Sequence, residues 1–426
     1  MRIIHTSDWH LGQHFMGKSR EPEHRDFLNW LLEFIEESRA DALVVAGDIF
    51  DTGIPPSYAR TLYNEFIVKL QQTGCSQAVI LGGNHDSAST LNEARAILAC
   101  LNTQVFAGIS QEPGDHVIML KDRDGNPGLL LCAVPFLRPM DLVKSMAGQS
   151  GRDKQLAMGQ AISSFYDQVF QVAKSHRDKG GKDLPIMATG HLTVVGGKSS
   201  ESVRDIYIGS LDAFPVAGFP GADYIALGHL HRSQAVKGLD HIQYSGSPIP
   251  LSFDEASREK QVLQVDFDNG ALEKVTKISV PCFRQLACIR GNLEEIEAGI
   301  AALPQTREGR SQLLQGRTLW LEAEVSIDDY LTDLQDRILA MIQVPENLVK
   351  GPGPGVDPLI DLLRVRRKRK KNSPGMNRES REKLEELNPK EVFLRRLANE
   401  DLDEDQIRQF TGLFDEIMSQ VQGEEI

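Results

Sequence analysis

Thiol chemistry has little to work with in this sequence. Its five cysteines, Cys75, Cys100, Cys132, Cys282 and Cys288, are odd in number, scattered and never in a C-x-x-C pair. That excludes a disulfide frame and a zinc ribbon and leaves buried structural thiols. Long apolar runs are missing too, since none approaches the roughly 20 residues that span a bilayer. The chain opens straight into a strand-like stretch without the basic and then apolar segments of a secretory leader. A cytoplasmic protein with no membrane partner is expected. Positive charge is also in deficit: 47 Lys and Arg face 60 Asp and Glu, a formal net charge of −13. A protein so balanced does not coat nucleic acid by electrostatics alone, because that binding rests on basic side chains neutralising phosphates. The deficit is uneven, for between Arg364 and Lys371 only Val365 is not basic. Contact with DNA therefore has to be local, metal-assisted or shared with a partner.

What is present is an ordinary globular composition, 41% hydrophobic and 25% charged over 426 residues. One hydrophobic core seldom serves that length, so two or three domains are expected. Five times, an apolar and β-rich run stops at a small polar turn carrying Asp, Asn or His. Arg2 to Thr6 leads into Ser7-Asp8-Trp9-His10, Val44 to Ala46 into Gly47-Asp48, and Val79 to Leu81 into Gly82-Gly83-Asn84-His85-Asp86. Ile186 to Ala188 leads into Thr189-Gly190-His191, and Tyr224 to Leu227 into Gly228-His229-Leu230-His231. A carboxylate buried at a strand end, as Asp48 would be, is costly unless it is paired or holds a metal. In a helix-covered sheet, ligand groups gather at the carboxyl ends of strands, so five such ends make one cluster.

Helical patterns lie between the runs. Arg25 to Ile35 carries apolar residues at helical spacing, and so does the stretch after Pro55-Pro56, with Ser57 as N-cap and Leu62, Phe66 and Leu70 on one face. Ser87 to Ala99 and most of 140 to 177 read the same way. Val194 to Arg204 reads as a loop whose composition favours a solvated connection, although its place directly after a ligand strand would let it touch substrate. Tyr244 to Pro248 is expected to close the site. Asp268-Asn269-Gly270 between two alternating runs signals a hairpin, which ends the first domain, residues 1–281. Residues 282–345 alternate strand, helix, strand, helix and form a small α/β cap. Residues 346–387 read as a linker containing the basic run. Residues 388–426 carry Val392, Phe393 and Leu397, then Ile407, Phe410, Phe414, Ile417 and Val421, at helical steps. Such a helical tail has to dock on a partner.

Asp8, His10, Asp48, Asn84, His191, His229 and His231 give seven N and O donors and no thiolate. The set suits divalent ions of intermediate hardness, manganese or iron, with zinc admitted. Seven donors exceed the needs of one ion, whereas two ions about 3.5 to 4 Å apart and bridged by Asp48 fit both the count and two-metal hydrolysis. His85 reads as a catalytic residue off the metals, a general acid for the leaving oxygen or a donor to the phosphoryl group, with its protonation supported by Asp86. His5, His24 and His176 are read as surface or packing residues, and His14 as a substrate contact. Singly, such fragments are more often structural than catalytic. Their joint occurrence in order, using five of the 11 histidines, carries the reading.

Asp8-x-His10, Gly47-Asp48, Gly83-Asn84-His85-Asp86, Gly190-His191 and Gly228-His229-x-His231 together resemble the calcineurin-like metallophosphoesterases. The fuller stretches Ser7 to Gly12, Gly47 to Thr52 and Pro55 to Tyr58 resemble the bacterial nuclease subunits of that family that pair with a coiled-coil ATPase, and the likeness covers most of the chain. It implies an α/β (α+β) fold, a four-layer β-sandwich of two packed sheets flanked by helices, with the cap and the helical tail added. It implies two divalent ions, expected to be manganese: one on Asp8, His10, Asp48 and His231, the other on Asp48, Asn84, His191 and His229, with His85 catalytic and unligated. The implied activity is double-strand exonuclease and single-strand or hairpin endonuclease on DNA, driven by the partner ATPase in replication, recombination and repair, with a homodimer of the nuclease domain allowed. Archaeal and eukaryotic relatives carry a histidine where this chain has Asp51, so no role of that histidine is carried over. A small-molecule phosphoesterase or cyclic-nucleotide phosphodiesterase on the same scaffold is the rival, and it has no use for the cap, the basic run or the tail. A scaffold with a vestigial site is opposed by the complete donor set.

Overall fold

Period-two alternation sorts the strand residues into inward and outward faces, and two six-stranded sheets result. The first runs β14 (Ala271–Ser279), β13 (Gln261–Asp268), β1 (Arg2–Thr6), β4 (Ala42–Val45), β5 (Gln77–Leu81), β6 (Thr103–Phe106). The second runs β11 (Gln234–Val236), β12 (Leu239–Tyr244), β10 (Tyr224–Gly228), β9 (Ile186–His191), β8 (Pro127–Cys132), β7 (Val117–Lys121). The computed structural model describes residues 1–75, 77–142, 151–180, 183–203, 213–303, 317–326, 333–342, 360–368 and 411. The chain divides into two units, Met1–Arg369 and Lys370–Ile426. Apart from Thr411, the tail expected over 388–426 lies outside the described residues.

Ile3, Val44 and Val79 of the first sheet meet Leu131, Met187 and Tyr224 of the second in a core between the sheets. Their neighbours Ile4, Leu43, Val45 and Ile80 point the other way, onto α1 (Glu21–Ser38) and α2 (Ser57–Leu70). Ala188, Ile225 and Leu227 likewise face helix α6 (Gly151–Gly180). Helix, sheet, sheet, helix is the expected four-layer order. Shorter helices α3 (Ala88–Asn92), α4 (Arg95–Cys100) and α5 (Pro139–Leu142) join strands. The single helix expected over 87–99 is thus two, and Ser57 is the first helical residue of α2 because the extended Pro56 takes the N-cap place. The β13–β14 hairpin turns on Asn269 and Gly270, both at positive φ (47° and 79°), as a two-residue type I′ turn requires. Among the described residues, no helix is long and apolar enough to cross a membrane.

The cap is a parallel sheet of β15 (Leu286–Gly291), β16 (Leu319–Ser326) and β17 (Ile360–Lys368), covered by α7 (Leu293–Ala302) and α8 (Leu334–Ile342). Ile296, Ile300, Leu321, Ala323, Leu334 and Ile338 fill its core, and Asn292 with Glu295 forms a capping box on α7. Strand β17 corrects the linker reading of the basic run. Arg364 and Arg366 lie 2.8 and 3.2 Å from Glu322, Lys368 lies 3.3 Å from Glu324, and Val365 packs toward the cap core. These three charges are answered by acids on β16, a pairing that a local reading of the sequence does not reveal. Trp320 of the cap stacks on Phe15 of the small hairpin β2 (His14–Phe15) and β3 (Lys18–Ser19), with ring centroids 5.6 Å apart. Lys18 pairs with Asp361 at 2.8 Å, which fastens the cap beside the turn after β1.

Candidate metal centre

Strands β1, β4 and β5 run parallel in one sheet and β9 and β10 in the other, so each group's turns gather at one pole. The two groups interlock there. His229 N–H donates to Asp8 Oδ1 at 3.0 Å, and His191 Nδ1 lies 2.9 Å from the Ala46 carbonyl. The approach leaves no room for side chains at the turns: a Cβ on Gly83 would sit 2.1 Å from Asp48 Oδ1, and one on Gly228 would sit 2.0 Å from the Ala46 oxygen. Asp8, His10, Asp48 and His229 adopt positive φ (54°, 46°, 51° and 93°) and are four of the eight non-glycine residues described with such values. Each such residue costs about 1–3 kcal/mol and persists where the surroundings enforce it, commonly at functional sites.

Six of the seven expected donors are at most 3% exposed, and Asn84 is half-buried. Asp8, His10 and His231 offer ligand atoms within 4.8 Å of one another, as do Asp8, Asp48 and His191. Asn84 Oδ1 lies 3.0 Å from His191 Nε2 and 3.0 Å from His229 Nδ1. His191 Nε2 lies 3.2 Å from Asp48 Oδ2, and His10 Nε2 lies 3.6 Å from the same oxygen. Asp48 Oδ1 accepts the His85 backbone N–H at 2.9 Å.

Burial pushes the Asp48 carboxyl up, but the imidazoles of His191, His10 and His85 outweigh it and hold the group well below the usual carboxylate range. Burial lowers His191, and the charge of Asp48 more than reverses this, raising it to about 9. It has to give up that proton before its lone pair can bind a cation. Burial and then the charge of His191 push His229 well below its ordinary value. His10 Nε2 and His229 Nε2 are buried with no hydrogen-bond partner. The unpartnered His10 Nε2 beside the Asp48 carboxylate, and the convergence of His191 Nε2 and His229 Nδ1 on Asn84 Oδ1, fit divalent cations.

His85 stands at the rim, its ring edge-on to His10 with centroids 4.6 Å apart and its Nδ1 2.7 Å from the Asp51 carbonyl. Asp86 takes a different place from the one expected. Its carboxylate accepts backbone N–H bonds from Ile49, Phe50 and Gly83 at 3.1, 2.9 and 2.9 Å and so clamps the turn after β4 to the turn after β5. His5 and His24 are fully buried packing residues, His176 is exposed, and His14 is exposed with its Nδ1 near the Gly12 carbonyl at 3.3 Å.

Sequence reasoning missed the residues behind the donors. Asp51 Oδ1 lies 3.1 Å from His10 Nδ1 and turns the other ring nitrogen inward. Behind His231 lie Ser202, Glu255 and Lys260. Glu255, 1% exposed, accepts from Lys260 Nζ at 2.6 Å and from Ser200 and Ser202. No spacing rule finds them, because they come from a loop and a turn far from the motifs.

Residues 1–233 match the family described as calcineurin-like phosphoesterase. The chain is 49% identical over 424 residues to the SbcD component of the nuclease SbcCD from Escherichia coli (strain K12), covering 100% of this chain and 99% of the relative. The chain belongs to the SbcD family of calcineurin-like phosphoesterases. SbcD proteins of Rhodobacter capsulatus and Bacillus subtilis are 38% identical over 314 residues and 29% identical over 343. Those alignments cover 71% and 78% of this chain and 76% and 81% of the relatives. Residues 282–401 match a second family, described as type 5 capsule protein repressor C-terminal domain. As a member of the SbcD family, the chain is a phosphoester hydrolase that uses divalent metal.

Proposed function

We propose that this chain is the nuclease subunit of a complex with an SbcC-type coiled-coil ATPase, cutting DNA as a double-strand exonuclease and as an endonuclease on single strands and hairpins. End processing in DNA replication, recombination and repair, in the cytoplasm, is the corresponding role. The gathering of the donors from five strand ends at one buried pole, beside a fastened cap, carries the reading. The proposed assignment puts one Mn2+ on Asp8, His10, Asp48 and His231 and another on Asp48, Asn84, His191 and His229. Such a pair of cations supplies an activated water nucleophile at neutral pH and stabilises charge on the phosphoryl oxygens. His85, at the rim and off the ligand set, donates a proton to the leaving oxygen, and its Nδ1 contact with the Asp51 carbonyl fixes which nitrogen faces the substrate. Asp86 sets the geometry of the two turns rather than taking part in the reaction. The proposed division is a nuclease domain over 1–281, a cap from 282 that takes in β17, and a tail over 388–426 that docks on the ATPase; the nuclease domain pairs as a homodimer.

The test is cleavage by the purified chain with Mn2+ of a labelled DNA hairpin and of a generic phosphodiester, with and without the ATPase and ATP. Hairpin cutting that strengthens with the partner is the expected result. Efficient cutting of the generic ester with DNA intact under every condition would move the site to small substrates.

A further inference from the structure

The loop of residues 194–203 reads from its composition as a solvated connection, yet it ties two distant parts of the chain together. Ser202 Oγ lies 2.6 Å from His231 Nδ1 and 2.6 Å from Glu255 Oε1. With the imidazole donating through Nδ1–H and the hydroxyl passing its own hydrogen to the carboxylate, Nε2 of His231 is left as the nitrogen with a lone pair. Glu255 is locked in turn by Lys260, which also donates to the His231 carbonyl at 3.2 Å. One residue earlier, Glu201 points away from the centre. Its carboxylate lies 3.4 Å from Arg366 Nη1 and 3.8 Å from Arg364 Nη2, both on cap strand β17. Its backbone N–H donates to Asp254 Oδ1 at 3.3 Å, next to Glu255.

Glu322 on their own sheet answers one of the two positive charges of Arg364 and Arg366, and Glu201 supplies the second negative charge. What the contact adds is a link between the cap and the residue next in sequence to the one that holds a donor ring. We propose that Ser202 is a positioning residue for His231 and that cap strand β17 holds it in place through Glu201, so that metal affinity at the His231 position depends on where the cap sits. The basic strand of an acidic chain then serves as the cap's grip on the metal centre. A substrate phosphate or a partner that drew Arg364 and Arg366 away from Glu201 would loosen His231.

The inference rests on His231 being a ligand, as assigned above, and metal titration separates the two. The metal-free full chain is titrated with Mn2+, with free ion followed by its electron paramagnetic resonance signal and heat by calorimetry. The unaltered chain is expected to bind two ions; fewer would defeat the assignment beneath this proposal and the proposal with it. Ser202→Ala is expected to weaken one ion about 10- to 100-fold and leave the other, with Ser202→Thr, which keeps the hydroxyl, near the unaltered value. Glu201→Ala removes only exposed ion pairs, which are individually weak, so about 2- to 5-fold is expected at the same position, and no further loss when it is added to Ser202→Ala. Unaltered binding of both ions by Ser202→Ala would overturn the positioning role. Losses that multiply independently in the double variant would overturn the link to the cap.

Discussion

Two buried acids set the metal pole and the cap apart. Glu322 in the cap and Asp48 at the pole are 2% and 1% exposed. Glu322 has two arginines of its own chain, Arg364 and Arg366, at 2.8 and 3.2 Å, so folding answers its charge. Asp48 has the imidazoles of His191 and His10 and a backbone amide instead, and among the described residues no ion pair joins Asp48 or Asp8 to a lysine or arginine. Glu322 is answered within the cap's own sheet. A cation from outside would complete the pole, and the unpartnered Nε2 of His10, 3.6 Å from Asp48, has the same need. What distinguishes the structural acid from the proposed ligand here is therefore the kind of partner and not the depth of burial.

Asp48→Ala breaks the comparison most severely. It is expected to lose ions at both positions and to lower turnover on the order of 10⁴-fold or more, read by single-turnover cleavage and metal titration. His85→Gln sharpens it, because a residue at the rim should cost about 10²- to 10⁴-fold in kcat while both ions stay bound; equal metal loss in the two variants would contradict the roles given them. On the cap side, Glu322→Ala leaves two guanidiniums without their buried partner. These are 26% and 43% exposed and can rehydrate, so about 2–3 kcal/mol of stability should go, with faster hydrogen exchange confined to β16 and β17.

A smaller effect concerns a buried group that has neither a charged partner nor a cation. Burial pushes His5 down to about 3, and its Nδ1 lies 3.0 Å from the Tyr224 hydroxyl across the two sheets. Its folded pKa lies below the unfolded value near 6.5, so the unfolded chain takes up the proton first and stability falls as pH drops from about 6.5 toward 3. By pH 5 this one residue should have cost about 2 kcal/mol. His5→Gln, which cannot titrate, should remove that part of the acid sensitivity in denaturant melts at pH 5 and pH 7.5.

The pole was legible in the sequence because each donor follows an apolar run within a few residues, so local order along the chain carries the geometry. Strand β1 runs over the residues read from the pattern, and β9 and β10 extend those runs only into the turns. β17 was not legible, because its arginines look like a solvated run until β16 brings Glu322 and Glu324 alongside, some forty residues away in sequence. The same holds for Ser202 and Glu255, which meet His231 only in three dimensions. Asp86 shows the opposite case. Its position beside His85 in the chain suggested a catalytic pair, whereas the turn points its carboxylate at three backbone amides.

The central claim, that this pole is a two-cation centre bridged by Asp48, is tested most directly by electron paramagnetic resonance of the metal-free chain titrated with Mn2+. Two ions per chain, whose signals couple in the unaltered protein, are the predicted result. A single isolated ion at saturation, or two ions that remain uncoupled, would contradict it.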